Sequence, residues 1–376
     1  MVIGYDAKWT LDTKGGLGYY GRLAIEALTQ YFPHNDYILY TPEVGERTTI
    51  INKLLTHSCV HLKTPKDVIF GESWRTGKGV LKDAHRHKVQ VFHGLNGQLP
   101  DGIAKSEFAS VVTIGSLTFK HFKEGYSFLE RHKYNSNVKN ACKAADRIVV
   151  GSEFLKKELI ASYGVDASRV RVVYNSCEDA FRDDISENVL NVIRLEHELP
   201  DHFILVAGEF DERHNIEVAL EALNKLKDDT DLHLVVVGHR NSYWEKMKSY
   251  IERHNLKKRV LRISKMHNTD MPMFYRLADV VVCPSRYETS CTSIVRALCS
   301  GTPVVAATGS CMEEYGGNAA LYFSPDSPDQ LADAIRLATG EQREGMISAG
   351  YEQAGVITLE NMATALNDIY HELKKK

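Results

Sequence analysis

The sequence predicts an α/β protein built from two doubly wound parallel-sheet domains, and three observations lead there. The chain has 376 residues, which suits two such domains better than one. Short apolar runs alternate with helical stretches over most of its length, the pattern of a parallel sheet with crossover helices. A polar stretch from about Glu178 to His202 divides those runs into two series.

The first series opens with Val2, Ile3, Gly4, Tyr5 and Asp6 and continues with Tyr37 to Tyr40, Val89 to Phe92, Val111 to Ile114, Ile148 to Val150 and Val170 to Val173. The second holds Phe203 to Ala207, Leu232 to Val237, Val260 to Ile263, Val280 to Cys283 and Val304 to Ala306. Several runs are β-branched with little polar alternation, as strands buried on both faces are. Helical stretches lie between them, at Tyr19 to Gln30, Phe154 to Tyr163, Ile216 to Lys227 and Tyr243 to His254. This assigns residues 1–178 to a first Rossmann-like domain, 179–202 to a linker region, and 203–358 to a second Rossmann-like domain. Residues 359–376 form a C-terminal helix expected to pack back on the first domain. Two such domains are expected to face a cleft at the carboxyl ends of their strands, where open α/β sheets bind ligands.

Composition excludes several classes. The chain is 43% hydrophobic and 25% charged with a net charge of −3, so no basic excess points to nucleic acid. No segment approaches the ~20 apolar residues of a membrane span. The N-terminus reads at once as a strand and not as a signal peptide. Seven cysteines are scattered without a C-x-x-C pair, which argues for a reducing compartment and small buried thiols. A cytoplasmic protein is expected. Neither a G-x-S-x-G elbow nor a G-x-x-x-x-G-K-[ST] loop occurs.

Two stretches carry candidate chemistry. Lys14, Gly15, Gly16, Leu17 and Gly18 precede a helix, where glycines let backbone N–H groups approach a ligand and the helix start favours anions. The same turn equally serves as a plain connection. From Asp279 to Val305 the chain reads strand, turn, helix, turn, strand. Pro284 and Ser285 end the strand, Glu288 lies on the following loop, and Thr289, Ser290, Thr292 and Ser293 crowd the helix start. Those hydroxyls suit capping, and the helix start suits a phosphate.

The 279–305 stretch resembles the C-terminal signature of the retaining glycosyltransferases of family 4, in which an acidic residue opens a loop, a second glutamate follows after seven residues, and a Gly-Thr-Pro-Val-Val run ends the motif. The likeness extends over nearly the whole chain: Gly208 to Asn215, Ala144 to Ser152, Val172 to Asn175, His93 to Asn96 with Pro100, and Glu313 to Ala320. It implies the glycosyltransferase B fold and transfer of a sugar with retention from a nucleotide-sugar donor to a glycan or lipid-linked acceptor, as in surface polysaccharide synthesis, with no metal or other cofactor. By that resemblance Glu288 faces the donor sugar and Arg213 the phosphates, as the catalytic pair. Gly16, Gly18, His214, Thr289, Ser290 and Arg296 join them around the donor, while His93, Asn96, Gly115 and Ser116 lie on the acceptor side.

Three positions depart from the family pattern. Arg296 stands where the second glutamate is usual, and a guanidinium has no acceptor for ribose hydroxyls. Either it pairs with a nearby carboxylate, the commoner fate of a helix-borne Arg, or it meets an anionic group of an unusual donor. Gly115 stands where a histidine is often found, beside Ser116, and His214 where lysine is usual. These departures keep a second reading open, a catalytically impaired glycosyltransferase-like partner or binding subunit.

Two other features are weighed. His85, His87 and His93 lie close in sequence, but no metal-ligand spacing joins them. From Phe119 to Tyr134 aromatic residues interleave with bases. That suits either a helix with rings inward and bases outward, the plainer expectation, or a peripheral contact with the inner face of a membrane.

Overall fold

The computed structural model describes residues 1–12, 16–44, 49–208, 211–238 and 242–374. Lys14 and Gly15 of the glycine-rich turn and the last two lysines of the chain lie outside the described residues. The described chain divides into two units, residues 1–176 with 358–376, and residues 177–357.

The first unit is a seven-stranded sheet of β1 (Val2–Asp6), β2 (Asp36–Tyr40), β3 (Val60–Lys63), β4 (Val91–Gly94), β5 (Ala109–Ile114), β6 (Arg147–Val150) and β7 (Val170–Val172). Every pairing is parallel and the order is 3-2-1-4-5-6-7. The order reverses between β1 and β4, so the loops leaving those strands diverge and open the carboxyl edge there. One face of the sheet is covered by α1 (Gly16–Tyr31) and the C-terminal helix, the other by residues that include Val138, Ala141, Leu155 and Leu159. Within the latter layer, α2 (Phe128–Ala144) starts with a capping box, Ser127 accepting from the Glu130 N–H and Glu130 accepting from the Ser127 N–H.

The second unit is a six-stranded sheet of β8 (Phe203–Ala207), β9 (His233–Val237), β10 (Val260–Ile263), β11 (Val280–Cys283), β12 (Val304–Ala307) and β13 (Ala320–Phe323). It is parallel throughout, in the order 10-9-8-11-12-13, and reverses between β8 and β11. Two strands were not expected, β3 and β13, and both are edges. Only Val60 of β3 is buried, and its His61 and Lys63 interrupt any apolar run, whereas β13 is a short apolar run whose middle residues are half-covered.

Residues 179–202, expected to form a linker, are instead ordered within the second unit. They comprise a 3-10 turn at Asp179–Phe181 and α3 (Glu187–Glu196), whose Leu190 and Ile193 are buried three residues apart. The polar residues that suggested a linker, Asp179, Arg182, Asp183, Asp184 and Asp201, flank this helix. Arg182 holds the segment down, donating through Nη2 to the carbonyls of Ala354 and Ile357 at 3.1 and 3.0 Å.

The C-terminal helix α6 (Leu359–Lys374) packs on the first unit through Met362, Leu366, Ile369 and Tyr370, against Leu23, Ala24, Ala27 and Leu28 of α1. Polar contacts fix its register. Asn35 Nδ2 donates to Asn367 Oδ1 at 3.2 Å, and the Tyr370 hydroxyl lies 3.2 Å from that of Tyr5. The same hydroxyl lies 2.8 Å from Nδ1 of His93, whose Nε2 lies 2.8 Å from Thr113 Oγ1. His93, expected on an acceptor-side loop, is therefore inside strand β4 and fully buried, bridging the sheet to α6.

Burial pushes the His93 imidazole down to about 3. Unfolded, the same group titrates near ~6.5. Between those values the unfolded chain binds a proton that the folded chain refuses, so this residue's contribution to stability falls as pH drops from about 6.5 toward 3. Urea unfolding of His93→Gln is expected to show a shallower loss of stability with acid than the wild type, by up to about 1.4 kcal/mol per pH unit. An unchanged slope contradicts the buried neutral imidazole.

Candidate active site

Residues 208–215 connect β8 to α4 (Ile216–Leu226), and the part from Asp211 to Asn215 is folded tightly. Asp211 caps a 3-10 turn, its side chain accepting from the His214 N–H. Asn215 then takes a left-handed conformation, φ 52°, which asparagine tolerates better than most residues. Its buried Nδ2 donates to the carbonyls of Pro284 and Pro325 at 3.1 and 2.8 Å. The turn is thus fastened to the loops after β11 and β13. A backbone bond from Arg286 N–H to the Arg213 carbonyl, 2.8 Å, adds to this.

This fastening brings Arg213 to Glu288. Nη1 of Arg213 donates to Glu288 Oε1 at 2.8 Å and to the Tyr287 carbonyl at 3.3 Å. Both side chains are largely covered, 16% and 23% exposed. Nη2 of Arg213 lies 2.8 Å from His214 Nε2. A guanidinium only donates, so Nε2 accepts and the ring hydrogen sits on Nδ1, which donates to Asp211 Oδ1 at 2.7 Å. Partial burial works against the Asp211 charge, but His214 and Arg213 outweigh it and hold the carboxyl below its usual range. The outcome is one hydrogen-bonded line, Asp211 to His214 to Arg213 to Glu288, in which His214 orients the arginine as an acceptor and brings no positive charge in this tautomer.

The line borders a cavity of about 160 Å³ at the carboxyl ends of β8 and β11, where the strand order reverses. Gly208, His214, Ser285, Glu288, Ser290 and Thr292 are among its lining residues. Helix α5 (Thr292–Cys299) starts at its wall, and Ser293 also lines it. The helix is not capped as the crowd of hydroxyls suggested: its cap residue is Cys291, which makes no side-chain capping bond. Thr289 is buried outside the lining, and Ser290 is in it. The cavity is lined by a carboxylate, an imidazole and a helix start, and Arg213, which is not among its lining residues, is bonded to two that are, Glu288 and His214; a helix start of this kind suits an anion.

Arg296 is on the same helix but is not among the lining residues. It forms a forked pair with Glu178, Nη2 reaching Oε1 at 2.8 Å and Oε2 at 3.1 Å, with Nε 3.3 Å from Oε2. Its guanidinium carbon stands 4.9 Å from the centre of the Phe181 ring. Of the two fates left open by the sequence, pairing with a carboxylate is the one the structure shows.

The remaining candidates lie in the first unit. Gly18 is buried in the first turns of α1. Asn96 is half-buried in the loop after β4, and Gly115 and Ser116 are exposed just beyond β5. A Cβ added to Gly115 meets nothing within 4 Å, so the position has room for a larger side chain. Ser116 Oγ accepts from the Thr118 N–H at 3.0 Å. The three clustered histidines separate: His87 Nδ1 is 2.9 Å from the Tyr40 hydroxyl, His85 pairs with Glu107, and His93 is buried as described. Among the described residues no three His, Cys, Asp or Glu side chains are grouped to hold a metal.

Sequence reasoning missed Asp211 and Asn215 as site residues. Asp211 carried a signal, a carboxylate three residues before His214 at a helix entry. Asn215 carried little, since its role depends on two carbonyls supplied from distant loops. Also missed is a buried ion cluster at the carboxyl end of β1, where Arg75 pairs with Asp6 and Glu72 and donates to Gln98 Oε1 at 3.2 Å.

Two family models match the chain, the group 1 glycosyl transferases over residues 192–353 and glycosyltransferase family 4 over residues 25–180. The O-antigen chain mannosyltransferase B of Escherichia coli is 24% identical over 289 residues, covering 76% of this chain and 74% of that protein. The O-antigen chain mannosyltransferase RfbU of Salmonella typhimurium is 23% identical over 210 residues, 56% of each chain. This chain therefore spans about half the length of the latter relative. Among solved structures, sucrose-phosphate synthase from Thermosynechococcus elongatus aligns with a TM-score of 0.75 at 17% identity, over 99% of both chains. Anabaena HepE in complex with UDP and glucose aligns with a TM-score of 0.74 at 17% identity, over the whole of both chains. At these identities the structures establish the fold, two parallel-sheet α/β domains of the glycosyltransferase B kind.

The Arg296–Glu178 pair yields a stability prediction. Arg296→Glu sets two carboxylates against each other and is expected to cost about 1–2 kcal/mol. Adding Glu178→Arg is expected to recover most of that loss. Thermal melting of the single and double variants checks this, and equal melting points for wild type and Arg296→Glu contradict it.

Proposed function

The chain belongs to the group 1 glycosyl transferases of family 4, and we propose that it moves a sugar, with retention at the anomeric carbon, from a nucleoside-diphosphate sugar to a glycan or lipid-linked acceptor in surface polysaccharide synthesis. The observation that carries this reading is the cavity between β8 and β11, lined by Glu288, His214 and the start of α5, with Arg213 bonded to both Glu288 and His214. The E. coli and Salmonella relatives, both O-antigen chain mannosyltransferases, support the polysaccharide assignment. The UDP held by Anabaena HepE supports the donor class. A cytoplasmic location fits a donor of this kind, and no described helix is long and apolar enough to cross a membrane.

In this reading the diphosphate lies against Arg213 and the start of α5, where Thr292 and Ser293 begin the helix. Negative charge grows on the leaving diphosphate as the glycosidic bond breaks, and donors already fixed in place stabilise that charge better than mobile ones. Arg213 is so fixed, because His214 and Glu288 each hold one of its amino groups. Glu288 faces the donor sugar, and the hydrogen bond from Arg213 keeps it oriented there. Phosphate neutralisation is assigned to these groups and not to a metal. The family's ribose-binding glutamate is replaced by Arg296, whose engagement with Glu178 leaves ribose recognition to other groups. The side chain missing at Gly115 is tolerable in a reaction that depends on electrostatic stabilisation more than on one proton shuttle.

Calorimetric titration with UDP, GDP, ADP, CMP and dTDP tests the donor site. One diphosphate is expected to bind selectively. Arg213→Ala is expected to weaken it by about 10- to 100-fold, the worth of a charge-assisted hydrogen bond. Glu288→Gln is expected to spare binding while lowering transfer of that donor's sugar. Failure of all five nucleotides to bind a folded sample removes the nucleotide-sugar reading and favours a non-catalytic relative.

A further inference from the structure

Among the described residues, the lining of the cavity between β8 and β11 contains no lysine and no arginine. Its acid is Glu288, and its one base is His214. Arg213 stands outside the lining, with Nη1 committed to Glu288 and to the Tyr287 carbonyl. A diphosphate entering this space therefore meets a carboxylate at the wall. Like charges held close in a poorly solvated concavity repel strongly. An anion seated beside Glu288 needs a positive charge in the lining itself, and His214 is the group able to supply one.

In the arrangement described above the ring is neutral, because Nε2 accepts from Arg213 Nη2 and Nδ1–H donates to Asp211 Oδ1. Its surroundings nevertheless suit an imidazolium. Asp211 Oδ1 lies 2.7 Å from Nδ1, and Glu288 Oε1 lies 3.9 Å from Nε2. Among the described residues the charged groups set against the ring are these two carboxylates and the Arg213 guanidinium. A Cβ built on Gly208 would lie 3.8 Å from Cδ2 of the ring and 4.0 Å from Nε2. Gly208 and His214 both line the cavity, so the Nε2 edge belongs to its wall, where an incoming oxygen can reach it.

We infer that binding of the diphosphate is coupled to uptake of a proton by His214. A phosphate oxygen takes the place of the Arg213–His214 bond, Nε2 gains a proton from solvent, and the imidazolium donates to that oxygen while Nδ1–H stays on Asp211. Arg213 keeps its Nη1 bonds to Glu288 and Tyr287 and turns the released Nη2 N–H to the same anion. One hydrogen bond between two cationic or neutral nitrogen groups is exchanged for two charge-assisted bonds to an anion. Because the complex holds a proton that the free protein does not, affinity falls as pH rises. The inference rests on the donor reading above, and proton exchange is measured separately from binding, so the two fail separately.

The test is calorimetry of the full chain with UDP, GDP, ADP and dTDP in two buffers of different ionisation enthalpy, which counts the protons exchanged. The pH is set near ~7.5, above the ~6 of a phosphate's second ionisation, so that the ligand is not the proton's destination. Wild type is expected to take up about half a proton or more per diphosphate bound, and to lose affinity by up to about tenfold per pH unit above this. His214→Lys is expected to bind with no uptake and with little dependence on pH, since a lysine is charged throughout that range. His214→Gln, which keeps an acceptor for Arg213 but cannot be charged, is expected to bind about tenfold or more weakly with no uptake. Binding by wild type without proton uptake overturns the inference and leaves the donor reading standing. Uptake by His214→Lys equal to that of wild type also overturns it, because the proton then goes elsewhere. Failure of every diphosphate to bind removes both.

Discussion

Arg213 and Glu288 stand on loops that leave two neighbouring parallel strands in opposite directions, and the hydrogen bond between them spans the gap. Everything else around the cavity serves that junction. Asn215 adopts its left-handed turn and ties two distant carbonyls so that Arg213 arrives at the correct height. Asp211 fixes the His214 tautomer, and His214 in turn accepts from Arg213. A doubly wound sheet makes such a gap at its switch point as a matter of topology. What this sequence adds is a chain of donors and acceptors that holds a guanidinium there before any ligand binds.

That organisation also explains how the three departures from the family pattern coexist. His214 contributes an acceptor where a lysine contributes charge, and it uses that acceptor to orient the remaining arginine. Arg296 is drawn away to Glu178, which comes from the segment that enters the second unit, and is backed by Phe181 from the same segment. The substitution has become part of how residues 177–202 attach to the second sheet. Gly115 leaves open space beyond β5 and disturbs no packing. Each change is absorbed structurally, and the hydrogen bond of Arg213 to Glu288 is present alongside all three.

Much of this was legible in the sequence because burial in a parallel sheet writes itself as uninterrupted β-branched runs, and the inner strands were found for that reason. The edge strands β3 and β13 were not: β3 carries His61 and Lys63 where inner strands carry valine, and β13 is only four residues long, directly after the Gly316 and Gly317 turn. Glu288 and Arg213 were visible through motif spacing, which fixes a loop after a strand. Asn215 was not, and although pairing of Arg296 with a carboxylate was expected, Glu178 as its partner was not, since both depend on partners at least 69 residues away. His93 misled for a related reason. Its neighbours resembled a loop, yet the strand runs through it, and a buried imidazole is affordable only because Tyr370 from the far end of the chain meets one nitrogen and Thr113 the other. Helix α3 was hidden by its polar flanks, although Val189, Leu190, Val192, Ile193 and Leu195 fall within it.

The central claim is that Arg213, positioned by His214 and Glu288, is the phosphate-binding group of a donor site at the switch point between β8 and β11. A crystal structure of the full chain soaked with its preferred nucleoside diphosphate tests this most directly. The account predicts phosphate oxygens within hydrogen-bond distance of the Arg213 guanidinium and close to the first turn of α5, with Glu288 bordering the space beyond the terminal phosphate. A nucleotide bound elsewhere, or one bound in the cavity with its phosphates turned away from Arg213, contradicts it.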